Sequence, residues 1–83
     1  MQLNLLYFAR LRDVFGMAQE TLSFDGQTVA DLLVQLAQRG GDWHAELAAG
    51  RPFRVAVNQQ LVQPDAELAD GDEVAIFPPV TGG

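Results

Sequence analysis

The chain has 83 residues, enough for one domain with a modest core, and no apolar run reaches the length of a bilayer span. Its formal net charge is −6 and its five basic residues are all arginine, a balance that repels phosphate backbones and argues against a nucleic-acid partner. Cysteine and lysine are both absent, which excludes disulfides, thiolate metal sites, thiol nucleophiles and catalytic or phosphate-binding lysines. Residues 1–12 lack the basic start and long apolar stretch of a secretion signal, so the expected location is cytoplasmic, without membrane contact.

In chain order, Leu3 to Ala9 reads as a strand. Leu3, Leu5 and Tyr7 alternate with Asn4, Leu6 and Phe8, and Asn4 marks the second set as the wetter face. Arg10 to Gly16 is short and mixed, a turn or a brief helix. Gln19 to Phe24 is a second strand, closed by the turn signal Asp25-Gly26. The clearest helix starts after Thr28, an N-cap residue, with Asp31 near the positive helix end. Val29, Leu32, Leu33, Leu36 and Ala37 form its apolar stripe, and Gly40-Gly41 stops it. Trp43 to Ala49 adds a further helical turn.

Phe53 to Val57 is a third main strand, with Phe53, Val55 and Val57 toward the helix and Arg54 and Ala56 outward. Asn58 to Gln60 is a turn, Leu61-Val62 a short extended piece, and Pro64-Asp65 and Asp70-Gly71 are turns. Glu73 to Phe77 is the last strand; Val74 and Ile76 face one side, and Glu73, Ala75 and Phe77 the other. Strand, strand, helix, strand, short strand, strand describes an α+β domain: a mixed sheet crossed on one face by a helix.

The domain spans residues 1–77, and 78–83 form an extended tail, Pro78-Pro79-Val80-Thr81-Gly82-Gly83. The prolines fix φ and remove backbone donors, and Val80 and Thr81 favour extended backbone. Gly82 and Gly83 carry no side chain, so a terminal carboxylate can pass a narrow channel. Six extended residues reach roughly 20 Å. The arrangement is a stiff arm with a slim reactive end.

Three stretches, Leu5 to Arg12 (LLYFARLR), Val57 to Val62 (VNQQLV) and above all Asp70 to Gly83 (DGDEVAIFPPVTGG), resemble the ubiquitin-like family of sulfur carriers, in its branch of small molybdopterin synthase subunits. The thiamin carriers share the Gly-Gly end but are usually shorter and lack the Phe-Pro-Pro-Val segment. The resemblance implies a ubiquitin-like β-grasp fold. It implies that Gly83 is adenylated by an E1-like enzyme using ATP, then converted to a thiocarboxylate with sulfur from another protein. The large synthase subunit then receives the tail and uses the sulfur to build the dithiolene of molybdopterin from a cyclic pyranopterin precursor. It further implies that Phe8, Leu61 and Phe77 dock the large partners, with Pro78, Pro79, Val80 and Thr81 following into the partner and Gly82 keeping the tail slim.

The residues agree with this division of labour. A free carboxylate is a poor electrophile, and the chain has no glycine-rich phosphate loop, so activation falls to a partner and no cofactor is expected on this chain. Strand alternation separately places Leu6, Phe8 and Phe77 opposite the helix, with Leu61 nearby, and clustered apolar residues at the root of a reactive arm suggest an interface. The alternative is a second small core beneath the Arg10 to Gly16 segment. No metal site is expected, because His44 is the only histidine and stands without a ligand set. The acidic run Asp65, Glu67, Asp70, Asp72 and Glu73 lacks calcium-loop spacing and reads as solvated turns. Arg10, Arg12 and Arg54 receive no role. Carriers for thiamin or tRNA thiolation, a ubiquitin-like modifier joined to target lysines through Gly83, and an interaction domain with an inert tail stay open.

Overall fold

The structure is a computed structural model that describes residues 1–47 and 53–78. Its elements run β1 (Gln2–Tyr7), α1 (Ala9–Phe15), β2 (Gln19–Ser23), α2 (Val29–Ala37), α3 (Gly41–Leu47), β3 (Arg54–Val57), β4 (Gln60–Leu61) and β5 (Glu73–Phe77). Among the described residues the sheet has five strands in the order β2-β1-β5-β3-β4. β1 and β5 pair in parallel, and the other neighbours are antiparallel. The first and last strands thus share the middle of the sheet, and α2 crosses one face: a β-grasp arrangement.

Local chemistry explains the elements. The Thr28 hydroxyl accepts from the Asp31 N–H, while the Asp31 carboxylate accepts from the Thr28 N–H, a reciprocal cap that starts α2. The same carboxylate takes the Gln27 N–H at 3.0 Å. These backbone donors, Gln27 first and Thr28 second, hold the Asp31 carboxyl below its usual range. Gly26 fits beneath this cap for lack of a side chain: a Cβ there would lie 2.5 Å from the Phe24 ring and 2.6 Å from the Asp31 Cβ. Helix α1 ends at Gly16, whose left-handed backbone (φ 73°) lets its N–H reach the Arg12 carbonyl.

The inner sheet face supplies Leu3, Leu5, Tyr7, Val55, Val74 and Ile76 to the core. Val29, Leu32 and Leu36 of α2 close over them, with Leu11 and Phe15 of α1 and Leu47 of α3 at one side and Phe24 and Leu68 from loops. The β3–β4 hairpin turns on Asn58 (φ 49°) and Gln59 (φ 71°), a two-residue turn with both residues left-handed, which matches the strand twist. Asn58 ties this hairpin to the start of β5, its amide donating to Asp72 and its carbonyl accepting the Glu73 N–H.

Three expectations need correction, and the outward placement of Ala56 stands with an addition. β1 stops at Tyr7, and Ala9 already belongs to α1, because Ala9 leaves the extended region (φ 52°). Leu33 is only half-buried, since it lies at the rim of the α2 stripe while Leu32 and Leu36 point into the sheet. Ala56 faces outward as read yet is buried, because a methyl group between two paired strands exposes almost nothing. The Asp70–Glu73 part of the acidic run is more than a solvated turn: Asp70 accepts the Gln2 N–H and Asp72 the Ala69 N–H, fastening this loop beside β1. The helical turn at Trp43 is α3; residues 48 and 49 of that expectation lie outside the described residues.

Candidate docking face and tail root

Strand register lays out the face opposite α2 row by row. Leu6 pairs with Ala75, Ala75 with Ala56, and Ala56 with Leu61, so one apolar row crosses four strands. In the next row Phe77 pairs with Arg54, and the Phe8 N–H donates to the Ile76 carbonyl at 3.2 Å, holding Phe8 in strand register beside Phe77. The two rings meet edge to face with centroids 6.3 Å apart. On the other side of the apolar row, Asn4, Thr21 and Glu73 form a polar border. The face is a shallow trough: an alanine floor, large apolar side chains at its ends, and a polar rim.

Phe8 is 46 % and Leu61 65 % exposed. That answers the question of a second core beneath α1. Leu11 and Phe15 of α1 are buried in the main core, and Phe8 stays outside it. Phe77 and Pro78 are half-buried at the end of β5. The central strand therefore delivers the chain out of the sheet at the edge of this trough. Arg54, opposite Phe77, is exposed and has no ion-pair partner among the described residues. Pro79, Val80, Thr81, Gly82 and Gly83, also named as site residues from the sequence, lie outside the described residues.

Sequence reasoning missed an organised polar cluster on the opposite face. The Tyr7 hydroxyl donates to Glu20 at 2.6 Å, and Arg39 grips the same carboxylate with two bonds of 2.8 and 2.9 Å. The Arg39 guanidinium lies 4.3 Å from the Trp43 ring centroid, and Trp43 stacks on Phe15 at 3.8 Å. Burial, then the bond to Glu20, pushes the Tyr7 phenol well above its ordinary range. Burial works to raise Glu20, but the Arg39 and Tyr7 hydrogen bonds and the Arg39 charge outweigh it and leave the carboxyl below its usual value. Every group in the cluster is engaged with another, on the sheet face opposite Phe8 and Phe77, where it fastens α3 and the end of α2 to the sheet. Its only sequence signal was a polar Glu20 on the inner side of an edge strand.

Among the described residues no three His, Cys, Asp or Glu side chains gather into a metal site, and no helix is long and apolar enough to cross a membrane. Residues 5–83 match the sequence profile of the ThiS family. The chain is 42 % identical over 81 residues to the molybdopterin synthase sulfur carrier subunit of Escherichia coli, covering 98 % of this chain and 99 % of that one. A solved structure of a putative molybdopterin converting factor, subunit 1, from Pyrococcus furiosus superposes with a TM-score of 0.82 at 32 % identity, covering 96 % of this chain and 99 % of that one. The Haloferax volcanii small archaeal modifier protein 1 superposes with a TM-score of 0.69 at 32 % identity, covering 95 % and 98 % of the two chains. By sequence over nearly its whole length and by fold, the chain belongs to the ThiS family, in company with sulfur carrier subunits of molybdopterin synthase.

Proposed function

We propose that this chain is the sulfur-carrier subunit of a molybdopterin synthase and that its working group is the Gly83 carboxylate. A carboxylate oxygen attacks the α-phosphate of ATP on a separate E1-like enzyme, and pyrophosphate leaves. Sulfide from a sulfur-delivering protein then attacks the acyl carbon and AMP leaves, so one C–O bond is replaced by a C–S bond. The large synthase subunit docks on the trough around Phe8, Leu61 and Phe77 and takes up Pro78, Pro79, Val80, Thr81 and Gly82 behind the terminus. The thiocarboxylate sulfur forms a C–S bond to the cyclic pyranopterin precursor as an oxygen leaving group of that precursor departs. Water then cleaves the acyl C–S bond, which leaves the sulfur on the pterin and returns the Gly83 carboxylate; two such transfers supply the dithiolene. Acid–base chemistry belongs to the partner; this chain contributes the nucleophilic sulfur and its positioning. In itself it is a carrier, without an enzymatic step of its own.

The observation that carries this reading is the exit of the central strand β5 beside an uncovered apolar face, with Phe8 and Phe77 in contact at the root of the tail. The test is deletion of Gly83. The truncated chain still ends in a glycine carboxylate, but about 3.5 Å short of its target. Thiocarboxylate formation, read by intact mass with the adenylating enzyme and a sulfur source, should be abolished while the domain stays folded. Normal conversion of the pterin precursor by the deletion variant sinks the carrier reading. The likeness to a small archaeal modifier favours a second reading, in which activated Gly83 is joined to lysines of target proteins. A ladder of covalent conjugates in cells, without thiocarboxylate, would select it.

A further inference from the structure

Among the described residues, three other than glycine have a left-handed backbone: Ala9, Asn58 and Gln59. Asn58 and Gln59 are explained by the two-residue hairpin turn they form. Ala9, at φ 52°, belongs to no hairpin, and alanine is disfavoured there because its Cβ crowds a carbonyl oxygen. Strain of this kind persists only where flanking contacts impose it, and it tends to collect at functional positions. On one side of Ala9, Phe8 is extended (φ −119°, ψ 155°) and bonded to the Ile76 carbonyl. On the other, the Leu11 N–H bonds to the Phe8 carbonyl at 3.1 Å, Leu11 is buried, and Arg10 reaches Glu46 on α3 at 2.7 Å.

We propose that Ala9 is a positioning residue for partner docking: its left-handed backbone sends α1 to the core side of the sheet while leaving Phe8 on the opposite face, against Phe77. Phe8 and Leu11 are three positions apart yet serve opposite sides of the sheet. A right-handed backbone at Ala9 would swing α1 so that Phe8 could not keep its strand bond while Leu11 kept its place in the core. The Ala9 side chain is exposed and contributes only by being small enough to tolerate the turn. The inference rests on the docking reading of the trough.

The test compares variants of similar size and opposite backbone preference, in the full chain, titrated with the molybdopterin synthase large subunit. Asparagine and glycine tolerate the left-handed region, and β-branched valine does not. Ala9→Gly and Ala9→Asn should bind within about twofold of the native chain, and Ala9→Val should bind roughly tenfold or more weakly. The Phe8–Phe77 ring contact, read by nuclear Overhauser effects, should survive in the first two and vanish in the third. Equal weakening by Asn and Val would show that bulk at the interface is what matters and overturn the proposal, as would native affinity in a folded Ala9→Val. If Ala9→Val fails to fold, Ala9→Thr, which is polar but also β-branched, replaces it, with a loss of about two- to fivefold expected relative to Ala9→Asn; equal affinity of a folded Thr variant and Asn overturns the proposal. Phe8→Ala separates the two levels: if it leaves docking unchanged, the docking face itself is wrong, whereas weakened docking by Phe8→Ala with a neutral Ala9→Val removes only the role of Ala9.

Discussion

The Tyr7 hydroxyl lies 2.6 Å from the Glu20 carboxylate, whose two oxygens are also held by Arg39. The contact joins β1 and β2 to the loop after α2. Glu20 titrates below its ordinary 4.5 in the folded chain, so its contribution is present above that pH and is lost as pH falls through the folded value. Tyr7 titrates above its ordinary 10.0, so its contribution is present below pH 10 and is lost as pH rises past it. Glu20→Gln should destabilise by about 1–2 kcal/mol near pH 7, between the exposed and buried limits for an ion pair. It should also flatten the acid limb. Urea denaturation from pH 3 to 7 measures both; an unchanged acid limb would mean Glu20 is not the group responsible.

Gly26 should resist replacement. Gly26→Ala drives a methyl group against the Phe24 ring and the Asp31 Cβ, so the cap of α2 or the buried ring must shift. A cost of about 1–3 kcal/mol is expected. Thermal unfolding checks it, and amide exchange at Thr28 and Asp31 shows whether the cap is what yields.

Leu36 tests the core directly. It is fully buried beneath α2, and Leu36→Ala should cost about 2–5 kcal/mol. A loss well under 1 kcal/mol in chemical denaturation would contradict the close packing of α2 on the sheet.

Phe77→Ala should weaken docking to the large subunit by about 1–4 kcal/mol while the isolated chain stays folded, because Phe77 packs on the outer face against Phe8. Titration calorimetry gives the affinity, and circular dichroism the fold. Leu61→Ala, at the far end of the trough, should weaken docking with almost no effect on stability, since Leu61 is mostly exposed. Unchanged affinity in both variants would remove the trough from the interface.

Much of this was legible from periodicity. The alternation in Glu73 to Phe77 put Phe77 outside and Ile76 inside, and the stripe from Val29 to Ala37 found the helix that covers the core. Those signals are local, so a single stretch of chain carries them. The Glu20–Arg39 pair was not legible because it exists only once β2 meets the end of α2. Nor does an alanine announce a left-handed backbone: the strain at Ala9 is imposed by Phe8 and Leu11 on either side. Burial of Ala56 was missed for a third reason, since outward-facing small residues in a sheet are shielded by their neighbours.

The place of β5 between β1 and β3 also has a mechanical consequence. A partner that draws in the tail pulls on Pro78 and hence along β5, where ladders on both flanks share the load. Those bonds lie across the pulling direction, so they must give together in shear; an edge strand would instead peel away one bond at a time. Under the proposed carrier role, the domain is therefore a firm handle: a partner that tugs on the terminus loads the whole sheet without unravelling it.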